Sequence, residues 1–222
     1  MAKPSKSGRV VAKSAAAPRI PGNATPEELR EMARTCRACN LWERATQTVF
    51  GEGGTGARVM FVGEQPGDRE DVAGRPFVGP AGLLLNRALE QAGIAREEVY
   101  FTNVVKHFKW EPRGKRRIHK KPNQLQIAAC RPWLEAELAV VRPEVVVCLG
   151  ATAAQALLGK KFRVTQQRGQ MIPSKLAPFV TATVHLSSIL RAPDDESRHR
   201  EMELFAADLK RVAAVLRRKK AA

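Results

Sequence analysis

Residue types suited to catalysis follow directly after short apolar runs in this chain. Glu64, Gln65, Gly67 and Asp68 come after the run 59–62. Asn103, and then His107, stand at the end of the run 99–104, and His185, Ser187 and Ser188 follow the run 179–184. A carboxylate stabilises a developing cation or orients a nucleophile. An amide offers a donor and an acceptor side by side, and an imidazole supports a developing anion. Together they describe a polar site of enzymatic character.

Sulfur forms a second pattern. Cys36-Arg37-Ala38-Cys39 is a C-x-x-C pair, and Cys130 and Cys148 have seventeen residues between them. Four cysteines in 222 residues are too few for a disulfide scaffold. Two thiols from one loop and two from separate elements allow structural zinc, an iron–sulfur cluster or buried free thiols, and spacing alone does not choose.

Charge supplies the third clue. Lys plus Arg is 38 against 22 Asp plus Glu, a net +16. Residues 1–22 carry five basic residues and no acid, residues 109–121 seven and one acid, and residues 210–222 six and none. The rest is close to neutral, so the basic segments suit a polyanionic partner, of which nucleic acid is the commonest. No 18-residue apolar stretch exists, so no membrane partner is expected. The basic N-terminus lacks the apolar run of a secretory signal, and the expected location is cytoplasmic, on the nucleoid through DNA.

These residues need elements to position them. Thr25-Pro26-Glu27-Glu28 starts a helix that runs to about Cys36. Strands are expected over 59–62, 99–104, 145–149 and 179–184, with helices over 80–92, 123–141 (disturbed by Pro132), 152–158 and 196–216. This alternation predicts an α/β fold, three layers α/β/α around a central four-stranded parallel sheet. Ligands bind such sheets beyond the carboxyl ends of the strands. The expected organisation is a flexible basic tail over 1–22, one domain over 23–217 and a basic tail over 218–222, monomeric and without an obligate protein partner.

With these features in place, the chain resembles the iron–sulfur uracil-DNA glycosylases of family 4, most closely their UdgX-type branch. The resemblance runs from about Cys36 to Arg191. It rests on the cysteine pattern, GEQPGD at 63–68, GRPFVGPAG at 74–82, Asn103, KRRIH at 115–119 and HLSSILR at 185–191. Gln65 replaces the alanine usual in ordinary members, and Leu186 the usual proline. That leucine is expected to loosen the loop carrying His185.

The resemblance implies the uracil-DNA glycosylase fold and uracil-containing DNA as substrate, single strands preferred. It implies a [4Fe-4S] cluster on Cys36, Cys39, Cys130 and Cys148. Phe77 is then expected to stack on the flipped base and Asn103 to pair with its edge. Gln65 and Gly67 would line the base pocket, and His185 and Glu64 would stabilise the departing anion and the sugar cation. His119 would attack C1′ and stay attached. Lys115, Arg116, Arg117, Ser187, Ser188 and Arg191 would hold the DNA or pin the basic loop. Two other readings stay open: an ordinary turnover enzyme that uses water, and a non-catalytic, zinc-stapled nucleic-acid-binding protein.

Overall fold

The computed structural model describes residues 18–220. The tail expected over 1–22 therefore lies mostly outside the described residues. The elements, in order, are α1 (Pro26–Arg34), β1 (Val59–Gly63), α2 (Asp68–Ala73), α3 (Pro80–Ala92) and β2 (Val99–Asn103). Then come β3 (Trp110–Arg113), β4 (Arg116–His119), α4 (Gln124–Val141), β5 (Val145–Leu149) and α5 (Ala151–Leu158). The chain continues with α6 (Val164–Gln167), β6 (Phe179–Thr183), α7 (Leu186–Leu190) and α8 (Asp195–Lys220).

The four long apolar runs form one parallel sheet in the order β2-β1-β5-β6, with Val59 beside both Val99 and Val145, and Val145 beside Phe179. Burial on both faces explains why these strands are continuously apolar rather than alternating. One face carries Met60, Val62, Tyr100, Val146 and Val180 against α1, α4 and α5. The other carries Phe61, Phe101, Val147 and Leu149 against α3, α7 and α8. This is the expected three-layer α/β/α fold.

Local chemistry sets the helix starts. Thr25 and Glu28 exchange capping bonds at α1, with Pro26 in the first turn, and Asn123 and Gln126 do the same at α4. Helix α4 runs unbroken through Pro132, because Trp133 and Leu134 on one side and Cys130 on the other anchor both halves in the core. Helix α8 continues to Lys220, past the expected domain end at 217. Basic residues at a helix C-terminus complement its dipole, which favours that extension.

Two departures bear on the site. The basic segment 109–121, expected as a loop, is a two-stranded antiparallel hairpin that pairs Trp110 with His119 and Arg113 with Arg116. Leu186 is fully buried with Ile189, Phe205 and Leu209. The segment after β6 is thus anchored as α7 by apolar packing, and leucine there does not loosen it.

The sheet and α4 are locked by a buried ion pair. Lys106 Nζ lies 2.5 Å from Glu137 Oε2 and also donates to Thr102 Oγ1 (2.6 Å) and to the carbonyl of Asn103 (2.8 Å). Glu137 additionally accepts from Gly51 N–H, Tyr100 O–H and Thr102 O–H. Removing one partner strands the other charge in the interior. Lys106→Met is therefore expected to lower the unfolding free energy by about 3–5 kcal/mol, measured by denaturant titration at pH 7. A loss below about 1 kcal/mol would show that the pair does not hold the core.

Candidate active site

The strand ends open into a cavity of about 600 Å³ lined by Glu64, Phe77, Asn103, His119, Thr152 and His185, among others. Its floor is Gly63. A Cβ there would lie 2.3 Å from Asn103 Oδ1 and 3.0 Å from Phe77 Cζ, so only glycine lets the amide and the ring close over β1. Phe77 holds a left-handed backbone, φ 55°, a strained state for a bulky residue. Its ring packs 5.2 Å from Phe101. Its carbonyl lies so close to α3 that a Cβ on Gly82 would be 1.7 Å from it. Glu70 ties the flanking loops together by accepting from Gly67 N–H (3.1 Å) and Gly79 N–H (2.7 Å).

Glu64 follows β1 directly. Its Oε1 lies 3.4 Å from His119 Nε2, and its Oε2 accepts from the Thr152 hydroxyl. Burial lowers the pKa of His119; the Glu64 charge opposes that shift and the Arg191 charge adds to it. His185 caps α7, its Nδ1 accepting Ser187 N–H at 3.1 Å. The neutral ring therefore carries its proton on Nε2, free to donate into the cavity. Burial, reinforced by His119 and Arg191, pushes the His185 pKa down to about 4.

The hairpin brings His119 in, and tertiary contacts hold the hairpin. Gln65 Nε2 donates to the carbonyls of Lys109 (3.2 Å) and Lys120 (3.1 Å), while its Oε1 accepts Lys109 N–H (3.1 Å). Both amide protons are used, so Gln65 clamps the hairpin base while it also lines the cavity. Arg117 makes ion pairs of 2.5 Å with both Asp68 and Asp71, which occupies Asp68. Lys115 and Arg116 are exposed at the hairpin tip. Ser188 Oγ donates to the His185 carbonyl (2.6 Å), and Ser187 and Arg191 line the cavity rim.

The cysteines divide. Cys36, Cys39 and Cys130 share a region of the α1–α4 face, where the charges of Cys36 and Cys39 act on Cys130, itself raised to about 12 mainly by burial. Trp133 Nε1–H donates to Cys36 Sγ and Lys106 N–H to Cys130 Sγ, each at 3.2 Å. Cys148, expected as the fourth ligand, is not brought to them. It sits in β5, and the charges of Cys36 and Cys39 that act on Cys130 are not among the causes acting on it. Burial alone raises its thiol to about 12.

His107 adjoins this region through the chain. It is buried and directly follows Lys106, the donor to Cys130. Its Nε2 lies 2.9 Å from Thr48 Oγ1, whose own proton goes to the carbonyl of Ala33. Nε2 is therefore the protonated nitrogen, and Nδ1 keeps its lone pair. An imidazole oriented in this way, through its far N–H, is the usual form of a metal-bound histidine. Its place after β2 was the available sequence signal. Among the described residues, no three His, Cys, Asp or Glu side chains converge closely enough to hold a single metal ion.

Residues 50–210 match the family profile of the uracil DNA glycosylase superfamily. The chain is 41% identical over 184 residues to a type-4 uracil-DNA glycosylase of Thermotoga maritima, covering 81% of this chain and 92% of that protein. It is 38% identical over 176 residues to that of Sulfurisphaera tokodaii, covering 76% and 77%. With that of Pyrobaculum aerophilum it shares 35% over 174 residues, covering 75% and 85%.

The buried imidazole makes stability depend on pH. The unfolded chain binds a proton at His185 below about pH 6.5, whereas the folded chain resists protonation until about 4. Stability is therefore lost as pH falls through that window, by about 3 kcal/mol at full effect. Between pH 7 and 4.5, His185→Gln is expected to lose about 2 kcal/mol less unfolding free energy than the parent. Equal losses in both proteins would show that His185 is not held neutral by the fold.

Proposed function

The chain belongs to the uracil DNA glycosylase superfamily, and from that premise we propose that it flips uracil out of DNA, excises it, and bonds His119 to C1′ of the sugar left behind. The observation that carries this reading is the pairing of His119 with Glu64 at 3.4 Å on the rim of the base cavity. A hairpin clamped by Gln65 and Arg117 holds that pairing.

Phe77 supplies a flat face for the flipped base. The Asn103 amide matches uracil, donating to O4 and accepting from N3–H, whereas cytosine presents the reverse pattern. As the C1′–N1 bond breaks, its electron pair leaves with uracil, and His185 Nε2–H stabilises the anion at O2. Glu64 faces the cationic sugar. The lone pair of the neutral His119 ring bonds to C1′, and the ring N–H proton passes to Glu64 or to the departing uracil anion. An imidazole attached in this way is a poor leaving group, so the product persists. Lys115, Arg116, Ser187, Ser188 and Arg191 surround the entrance as backbone contacts.

An iron–sulfur cluster fits the sulfur region. Three thiols on one face, with His107 next in the chain to Lys106, the donor to Cys130, offer four candidate ligands, and a cubane spaces its ligands more widely than a single zinc ion does. The cluster would staple the 36–39 loop to α4 and to the segment after β2. Cys130→Ala and His107→Ala are expected to lose most of the bound iron, whereas Cys148→Ala keeps it, by iron assay and visible absorbance of purified protein. Iron lost from Cys148→Ala and retained by His107→Ala would reverse the assignment.

A second reading is a turnover glycosylase in which Glu64 orients water, favoured by the type-4 relatives. A denaturing gel on a single-stranded uracil-containing oligonucleotide separates the two. The parent is expected to give a shifted band and about one uracil per protein, a limit set by self-attachment. His119→Ala is expected to lose the band while still releasing uracil. Many uracils per parent molecule with no shifted band would favour water.

A further inference from the structure

We propose that Thr152 is a positioning residue for this reaction: its hydroxyl fixes one oxygen of Glu64 at the head of α5, and so commits the other oxygen to His119. The inference rests on the roles given above to Glu64 and His119.

The Glu64 side chain ends in a carboxylate. Its two oxygens are equivalent, and the torsion that turns them is soft. Glu64 is anchored through its backbone, since its carbonyl accepts Val105 N–H at 3.1 Å, but that bond does not orient the side chain. Thr152 does. It is the second residue of α5 and is buried, so its hydroxyl is directed to Glu64 Oε2 rather than to solvent. The N-cap of α5 is Gly150, which offers no side-chain cap. The unsatisfied N–H groups of that first turn favour a negative charge beside them. Two independent features thus draw Glu64 toward α5.

The consequence falls on His119. Its side chain is half exposed at the end of the hairpin, and the carboxylate that meets it is Glu64 Oε1, at 3.4 Å. The ring of the attacking residue is therefore aimed by an oxygen that is itself aimed by Thr152. The same first turn also adjoins His185, because a Cβ on Gly150 would lie 3.0 Å from His185 Cβ. Helix α5 so registers the groups on both sides of the breaking bond.

The test is a double-mutant cycle under single-turnover conditions on a single-stranded uracil-containing oligonucleotide. It compares the parent, Thr152→Val, Thr152→Ser, Glu64→Ala and the Thr152→Val/Glu64→Ala double variant. Valine keeps the shape and removes the donor; serine keeps the donor. Thr152→Val is expected to slow attachment about tenfold, the scale of one hydrogen bond to a charged group, and Thr152→Ser to stay within about threefold of the parent. Once Glu64 is gone, Thr152→Val is expected to add nothing. Parental speed in Thr152→Val, equal slowing by valine and serine, or a full extra factor in the double variant would each overturn the inference. A parent that releases uracil without attaching overturns the role of His119 and with it the commitment of Glu64 to that ring; the same cycle, read on release, then decides whether Thr152 positions Glu64. A parent that releases no uracil overturns the functional reading and this inference with it.

Discussion

A buried charge pair organises this molecule. Lys106 and Glu137 are both almost wholly excluded from solvent, where neither tolerates the loss of the other. Their remaining hydrogen-bonding capacity is spent on Gly51, Tyr100, Thr102 and the carbonyl of Asn103. One ion pair therefore fixes helix α4, the end of strand β2 and the loop that precedes β1. The Asn103 amide is delivered over Gly63 because the main chain beneath it cannot move. The same short segment sends Lys106 N–H to Cys130 and carries His107, so the base pocket and the sulfur region share one rigid connection.

Around that frame the proposed reaction separates into two tasks. Reading the base falls to groups on the sheet edge, Asn103 and Phe77, whose positions are set by core packing and by the strained backbone at Phe77. Capturing the sugar falls to His119 on a hairpin outside the sheet. The hairpin makes no ladder with the central strands. Its position depends on the Gln65 amide and on Arg117 between Asp68 and Asp71. If His119 is the nucleophile, a reader fixed by the core and an attacking group on a clamped hairpin are separable, and substitution is expected to pull base release and attachment apart.

Much of this was legible in the residues. The strands read clearly because burial on both faces demands unbroken apolar runs, and the polar residues after them fell at the ligand edge by the rule for parallel sheets. The hairpin was not legible. Trp110 to His119 is dominated by charged residues with no apolar alternation, and tertiary contacts rather than local propensity stabilise it. Gln65 lines the cavity, but its second task, the amide clamp on the hairpin, could not be read without the hairpin itself. Cys148 satisfied a sequence spacing, but spacing carries no information about which side chains the fold brings together, and the charges of Cys36 and Cys39 that act on Cys130 are not among the causes acting on it. Leu186 was read from the backbone freedom of a missing proline, whereas its burial against α8 supplies the restraint instead.

The proposed reaction turns on a bond from His119 to C1′. Its most direct test is to digest the protein after reaction with a uracil-containing oligonucleotide, trim the DNA to a single sugar remnant, and locate the added mass by peptide sequencing in a mass spectrometer. The account predicts the remnant on His119, in the short stretch between Arg117 and Lys120. A remnant on any other residue, or complete release of uracil with every peptide unmodified, would contradict it.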